Sequence, residues 1–186
     1  MQRVVVTDRQ IQYTGDQLRS LWLHETFGIA GDAIAAFVGP CNVPTEALVD
    51  TEDRRAGETI KAALMLHFII EHFADTLPCA VLRQRLLMAI IKDLLQETGK
   101  LPDLTRKGDD IFCGDKKLTV SIATISPVST LIHAGVNIDA GGAPVAACGL
   151  QDFGIDHSRL AEVTADAYVE EICSADFART KVRSVQ

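Results

Sequence analysis

The sequence predicts an α+β fold: a mixed, mostly antiparallel sheet covered by helices. Three observations carry the prediction. Two successive segments, Lys117–Ala123 and Ile132–Ile138, alternate between apolar and small or polar side chains, the period-two pattern of half-buried strands. Thr76–Thr98 instead repeats its apolar residues at helical spacing. Val4-Val5-Val6 is a β-branched run suited to a pleated surface. A length of 186 residues is what one hydrophobic core commonly serves, so residues 1–186 are expected to form one domain.

Arg3–Thr7 is the expected first strand. Thr14-Gly15-Asp16-Gln17 has the form of a capping box, with Thr14 as N-cap and Gln17 three residues on. Leu18, Leu21, Trp22 and Leu23 follow as a helical stripe that Gly28 stops. Ala33–Val38 is expected to be a strand ending at Gly39-Pro40. Ala47–Val49 is short and apolar and runs into Asp50-Thr51-Glu52-Asp53-Arg54-Arg55, then Gly57. That charged run is either a solvated loop or a pocket rim, with acids for Mg²⁺ and arginines for phosphate or carboxylate. Ala62–Phe73 is nearly continuous in apolar residues, and its pattern alone does not separate helix from buried strand.

The long helix has Thr76 to cap it, Pro78 in its first turn and Gly99 at its end. Val81, Leu82, Leu86, Leu87, Ile90, Ile91, Leu94 and Leu95 form its apolar stripe, with Arg83, Gln84, Lys92 and Asp93 opposite. Lys107–Ile138 then holds three strands and two turns. Gly114-Asp115 makes the first turn and Ser126-Pro127-Val128-Ser129 the second. By parity, Leu118, Val120 and Ile122 share one face and Lys117, Thr119, Ser121 and Ala123 the other. Ile132, Ala134, Val136 and Ile138 are separated from His133, Gly135 and Asn137 in the same way. One face is expected to build the core. The other is expected to present Lys117, Ser121, His133 and Asn137 among small residues that leave room for a ligand. Asp139–Pro144 is a loop and Val145–Cys148 a candidate closing strand. Asp156 or Ser158 caps a last helix near Arg159–Cys173, with Leu160, Val163, Ala167 and Ile172 inward. A basic tail, Ala178–Gln186, follows.

The run Asp109-Asp110-Ile111-Phe112-Cys113-Gly114-Asp115-Lys116-Lys117-Leu118 resembles the segment of biotin and lipoate protein ligases that carries an aspartate and, seven residues on, the active-site lysine. Ile132-His133-Ala134-Gly135-Val136-Asn137-Ile138 resembles the glycine- and asparagine-containing strand that follows it. Across nearly the full length the chain resembles domain-of-unknown-function family 366, through Met65–Phe73, Ser121–His133 and Lys181–Arg183. The resemblance implies a fold related to these ligases and to class II aminoacyl-tRNA synthetases, and it favours a strand for Ala62–Phe73. The family resemblance implies no established activity; the ligase resemblance points to ATP and Mg²⁺ as candidate cofactors and to an ATP-dependent acyl ligase or transferase as the candidate activity. In the ligases the lysine contacts the acyl carbonyl and the α-phosphate, a role that falls here on Lys117. Arg54-Arg55-Ala56-Gly57 only faintly echoes the ligases' glycine-rich loop, and the glycine run itself is absent.

Lys117 is therefore the candidate catalytic residue. His67, Glu71, Asp109, Asp110, Ser121, Thr124, His133 and Asn137 are the candidate ligand contacts. A fixed ammonium opposes charge that develops as a carboxylate attacks phosphate. Asp109 and Asp110 can hold Mg²⁺ or contact ribose, or simply form a charged turn. No serine has the surroundings of a nucleophile. As strand residues, His67 and Glu71 share a face and His72 takes the other. On a helix, histidines five apart stand roughly 140° apart and do not converge on a metal; no zinc site is expected at these residues.

The net charge of −7 and pI near 5.2 argue against nucleic acid and anionic lipid as partners, leaving a small-molecule ligand and a second copy of the chain as the candidates. The five cysteines are odd in number and widely spaced, which argues against a disulfide framework or structural zinc. No basic leader and no apolar run of about 20 residues is visible, so a cytoplasmic location is expected. The competing expectation is a non-catalytic ligand-binding or protein-interaction module on the same fold.

Overall fold

The computed structural model describes residues 1–185. Its elements run β1 (Gln2–Gln10), α1 (Trp22–Phe27), β2 (Ala33–Val43), α2 (Thr51–Ala56), β3 (Ile60–Phe73), α3 (Leu77–Glu97), β4 (Leu104–Lys107), β5 (Asp110–Cys113), β6 (Lys116–Lys117), β7 (Thr119–Ile125), β8 (Ser129–Asp139) and α4 (His157–Ala178). Short 3₁₀ turns occupy Thr45–Ala47 and Leu150–Phe153. The main sheet has the order β1-β2-β3-β8-β7, with β1 parallel to β2 and the other pairs antiparallel. A small antiparallel sheet, β4-β5-β6, stands beside it. The fold is thus α+β with a mixed sheet, as the sequence predicts.

β3 shows why its own pattern was ambiguous. It lies in the middle of the sheet and is covered on both faces, so both of its residue parities are apolar. Leu66, Phe68 and Ile70 join Ile34, Ala36, Val38, Ile132, Ala134 and Val136 in a core under α3 and α4. Met65 and Ile69 join Ala33, Ala35 and Phe37 on the other face, beneath Tyr13, Trp22, Leu23 and Leu48. Each large side chain fully buried this way stabilises the fold by roughly 1.5–3 kcal/mol. On the helical face His72 bridges Asp32 (Nδ1 to Oδ2, 2.9 Å) and the Tyr168 hydroxyl (3.0 Å), tying β3 to α4 and to the residue that precedes β2.

Both turns of Lys107–Ile138 form where expected, and β8 sends Ile132, Ala134, Val136 and Ile138 into the core as expected, but the face assignment of the preceding strand does not hold. Leu118 breaks the strand between β6 and β7: its N–H donates to Ile111 and its carbonyl accepts from Asn137. The register then pairs Val120 with Gly135 and Ile122 with His133. Val120 and Ile122 therefore share the face of His133 and Asn137, whereas Ser121 and Ala123 face the helices with Ile132 and Ala134. Parity counted from Lys117 fails because the intervening break changes it.

Other boundaries differ for physical reasons. β2 runs through Gly39-Pro40 to Val43. The Gln17 side chain does accept from the Thr14 N–H (2.9 Å), but no helix starts there. Leu21 takes a positive φ of 63°, and α1 begins only after it. Gly28 closes α1 in the left-handed region, as expected. The charged run is helix α2, which Asp50 caps by accepting from the Glu52 and Asp53 N–H groups. Val145–Cys148 contributes one parallel bridge, Ala147 to Lys117, rather than a strand. Gln84 is buried within the stripe of α3, not opposite it, and Leu82 is exposed. Asp156 caps α4, which extends to Ala178; Gln186 of the basic tail lies outside the described residues. No described helix is long and apolar enough to cross a membrane.

Candidate functional site

The hairpin of β5 and β6 brings Asp110 and Lys117 together. Gly114 takes a positive φ of 57° at the turn, a conformation open to glycine at low cost. Phe112 pairs with Lys117, and Lys117 Nζ reaches Asp110 Oδ2 at 2.9 Å. Burial pushes the Asp110 carboxyl above its usual range, and the Lys117 ammonium offsets only part of that. Main-chain bonds from Lys117 N–H to Ala146 and from Cys148 N–H to Lys117 fix the backbone beneath the ammonium.

This pair lies in a cleft of about 450 Å³ between the two sheets and α2, within the ~300–1,000 Å³ of typical ligand pockets. Asn137, Asp109, Ser121, Met65 and Thr119 line it too, with Asp50, Asp53 and Glu58 from the α2 side and Lys61 from β3. Asn137 is buried and donates through Nδ2 to the carbonyls of Cys148 (3.2 Å) and Lys117 (3.4 Å). Those two acceptors orient the amide, so Oδ1 is the group left for a ligand. Asp109 is committed to the protein: Oδ1 pairs with Arg85 at 3.0 Å, and Oδ2 accepts from Gln84 at 2.9 Å. Ser121 is tied to the same knot, accepting from Gln84 Nε2 at 2.7 Å.

A narrower cavity of about 70 Å³ adjoins the cleft and shares Asp50, Asp53, Ile60 and Ser121 with it. Tyr13, Leu18, Val43, Leu48, Ile122 and His133 complete much of its wall. The Tyr13 ring stacks on His133 with centroids 3.9 Å apart and planes 11° from parallel. Behind them His67 Nδ1 lies 3.1 Å from His133 Nε2, and His67 Nε2 lies 3.2 Å from the Gly39 carbonyl oxygen. Burial lowers the His67 pKa to about 3, and His133 is likewise depressed, so both rings are neutral.

The expected site residues thus divide. Lys117, Asp109, Asp110, Ser121 and Asn137 meet in the cleft; His133 lines the inner cavity, with His67 one hydrogen bond behind. Glu71 and Thr124 lie outside both. Glu71 is buried and accepts from the Leu21 N–H (2.9 Å) and the Ser129 hydroxyl (2.6 Å); Thr124 pairs with Leu131 farther along the sheet. Among the described residues no group of three or more His, Cys, Asp or Glu side chains is placed to hold a metal. Three residues that sequence reasoning had not marked as site residues are central. Gln84 could have been found, because it stands four after Ala80 and three before Leu87 in the buried stripe. Arg85, its neighbour, and Tyr13, in an irregular segment, carry no comparable signal.

The fold is that of the biotin and lipoate protein ligase catalytic domains. A putative lipoate protein ligase from T. acidophilum superposes with a TM-score of 0.56 at 15% identity, covering 91% of this chain and 85% of that one. The biotin protein ligase from Aquifex aeolicus in complex with biotin and ATP gives 0.55 at 12% identity, covering 91% and 69%. Likeness at that identity concerns the fold alone. The chain belongs to the family described as Domain of unknown function (DUF366), whose model matches residues 1–183. A protein of unknown function from Pyrococcus horikoshi shares 40% identity and a TM-score of 0.94, with both chains fully covered. An uncharacterized protein of Methanocaldococcus jannaschii is 37% identical over 179 residues, 92% of this chain and 80% of that protein.

Proposed function

We propose that the cleft binds a carboxylic acid together with ATP and activates the acid for acyl transfer. The observation that carries this is Lys117 Nζ, held by Asp110 in the wall of a ligand-sized cleft. In this reading a carboxylate oxygen attacks the α-phosphate, the bond to the departing pyrophosphate breaks, and an acyl-adenylate remains. An acceptor nucleophile then takes the acyl group and AMP leaves. Lys117 opposes the negative charge that grows on the α-phosphate oxygens and later on the departing AMP. Asn137 Oδ1 is available to accept from a ribose hydroxyl.

The charge of the lining constrains how a nucleotide enters. Asp50, Asp53, Glu58, Asp109 and Asp110 stand against Lys61 and Lys117. A bare polyphosphate is disfavoured there, so ATP enters as its Mg²⁺ complex. With Asp109 committed to Arg85 and Gln84, and Asp110 to Lys117, the phosphates themselves supply most Mg²⁺ ligands, a common arrangement for that ion. The same acidic lining favours a second reading, a binding module for an uncharged or cationic small molecule without adenylation. Exchange of labelled pyrophosphate into ATP, run over carboxylic acids of graded chain length, separates the two. Acid-dependent exchange that Lys117→Ala abolishes is the expected result; no exchange with any acid removes the adenylation step.

A further inference from the structure

Two residues that line the inner cavity, Tyr13 and His133, each carry a polar atom without a hydrogen-bond partner among the described residues. Tyr13 and His133 are each only 3% exposed. Among the described residues the Tyr13 hydroxyl accepts and donates no hydrogen bond, and His133 is bonded only through Nε2. The one side-chain oxygen or nitrogen both sealed from solvent and unpartnered among the described residues is Thr164 Oγ1. The Tyr13 hydroxyl and His133 Nδ1 are therefore not sealed, and both residues line the cavity.

Their chemistry follows from a chain of hydrogen bonds. The Gly39 carbonyl can only accept, so His67 Nε2 carries a proton and donates to it. A neutral His67 then has a bare Nδ1, which accepts from His133 Nε2–H. That leaves His133 Nδ1 without a proton, an obligate acceptor. Burial raises the Tyr13 pKa far above its usual range, so the phenol keeps its proton. Stacking on His133 holds both rings in place. Among the described residues no lysine or arginine lines the cavity, and Asp50 and Asp53 line both it and the cleft, which opposes an anion.

We propose that this cavity is a specificity pocket for an uncharged group bearing a hydrogen-bond donor, such as an amide N–H or a hydroxyl, which donates to His133 Nδ1 beside Tyr13. The volume of about 70 Å³ is roughly half that of an apolar cavity that takes benzene, so the group has few heavy atoms. The proposal deepens the small-molecule reading of the cleft: the ligand's uncharged end enters here while its carboxylate stays at Lys117. It does not require adenylation.

A series of near-isosteric probes tests it without ATP and without a carboxylate chain. Acetamide, acetone, acetate and acetamidinium are titrated into the protein, with ¹⁵N-labelled histidine rings followed by nuclear magnetic resonance. Acetamide is expected to bind roughly fivefold or more tighter than acetone, the scale of one neutral hydrogen bond, and acetate not at all. His67 and His133 should both be Nε2–H tautomers, with His133 Nδ1 shifting when acetamide binds and not when acetone does. In Tyr13→Phe, which keeps the ring stack, acetamide binding should weaken while the His133 tautomer stays the same. Equal binding of acetamide and acetone, no binding of either, or an Nδ1–H tautomer at His133 would each overturn the proposal. Tightest binding of acetamidinium would assign the cavity to the two aspartates and overturn it as well. Failure here with acid-dependent exchange intact would leave the adenylation reading standing, and the reverse pattern would remove adenylation alone.

Discussion

Lys117 Nζ stands 2.9 Å from Asp110 Oδ2, across a hairpin whose turn is Gly114-Asp115. The lysine side chain is 30% exposed and the aspartate 26%, so the pair is partly solvated and its contribution to folding is small. Lys117→Ala should change unfolding free energy by less than about 1 kcal/mol. It should also raise the Asp110 pKa further, because burial would act without the opposing ammonium. Denaturant unfolding and carboxyl-resolved resonance titration measure the two effects. A large loss of stability would make Lys117 a structural residue.

Gln84 joins α3 to the cleft wall, donating to Asp109 Oδ2 and to Ser121. It is buried, and removing it leaves two acceptors with weaker partners. Gln84→Ala should cost about 1–3 kcal/mol of stability. Gln84→Leu should cost a similar amount despite filling the space, since it supplies no donor. If the leucine variant were as stable as wild type, the polar knot would not be holding the wall.

Gly39 marks a close crossing. A Cβ there would collide with the Ile11 backbone carbonyl. The segment that crosses is tied down by Ile11 N–H to Val38 (2.8 Å) and Tyr13 N–H to Pro40 (2.9 Å), and it delivers Tyr13 to the cavity. Gly39→Ala should destabilise by about 1–3 kcal/mol, the cost of forced overpacking. It should also perturb the Tyr13–His133 stack, seen as ring-current shifts. Unchanged stability and shifts would contradict this crossing.

Much of this was legible in sequence and some was not, for identifiable reasons. The helix of Thr76–Thr98 announced itself by cap, proline and spacing, and the hairpin turns by glycine, proline and serine. The hairpin that carries Asp110 and Lys117 was legible through its Gly114-Asp115 turn, whereas the ion pair between them appears only in the structure. The partition of Ser121 from His133 did not follow, because the break at Leu118 resets parity and leaves no signature in composition. Tyr13 was invisible for a related reason. It enters the site from an irregular segment through backbone bonds to β2, a long-range arrangement with no local period.

Acid should unfold the protein through its buried histidines. His67 has a folded pKa near 3 against about 6.5 for an unperturbed histidine. Between those values the unfolded chain binds a proton that the folded state refuses, so stability rises with pH across the window and is lost as pH falls through it. His133 acts with the same sign. From pH 7 to pH 4 the loss from His67 alone should be on the order of 3 kcal/mol, at about 1.4 kcal/mol per pKa unit. Urea midpoints across that range measure it. A midpoint that stays flat to pH 4 would contradict the neutral histidine pair.

The most direct test of the proposed activity is calorimetric titration of ATP into wild-type protein and Lys117→Ala, with and without Mg²⁺. Saturable binding that needs Mg²⁺ and weakens by about 1.5–3 kcal/mol in the variant, the scale of one charged contact, is the expected result. Absence of binding in the wild type, or equal affinity in both proteins, would contradict it.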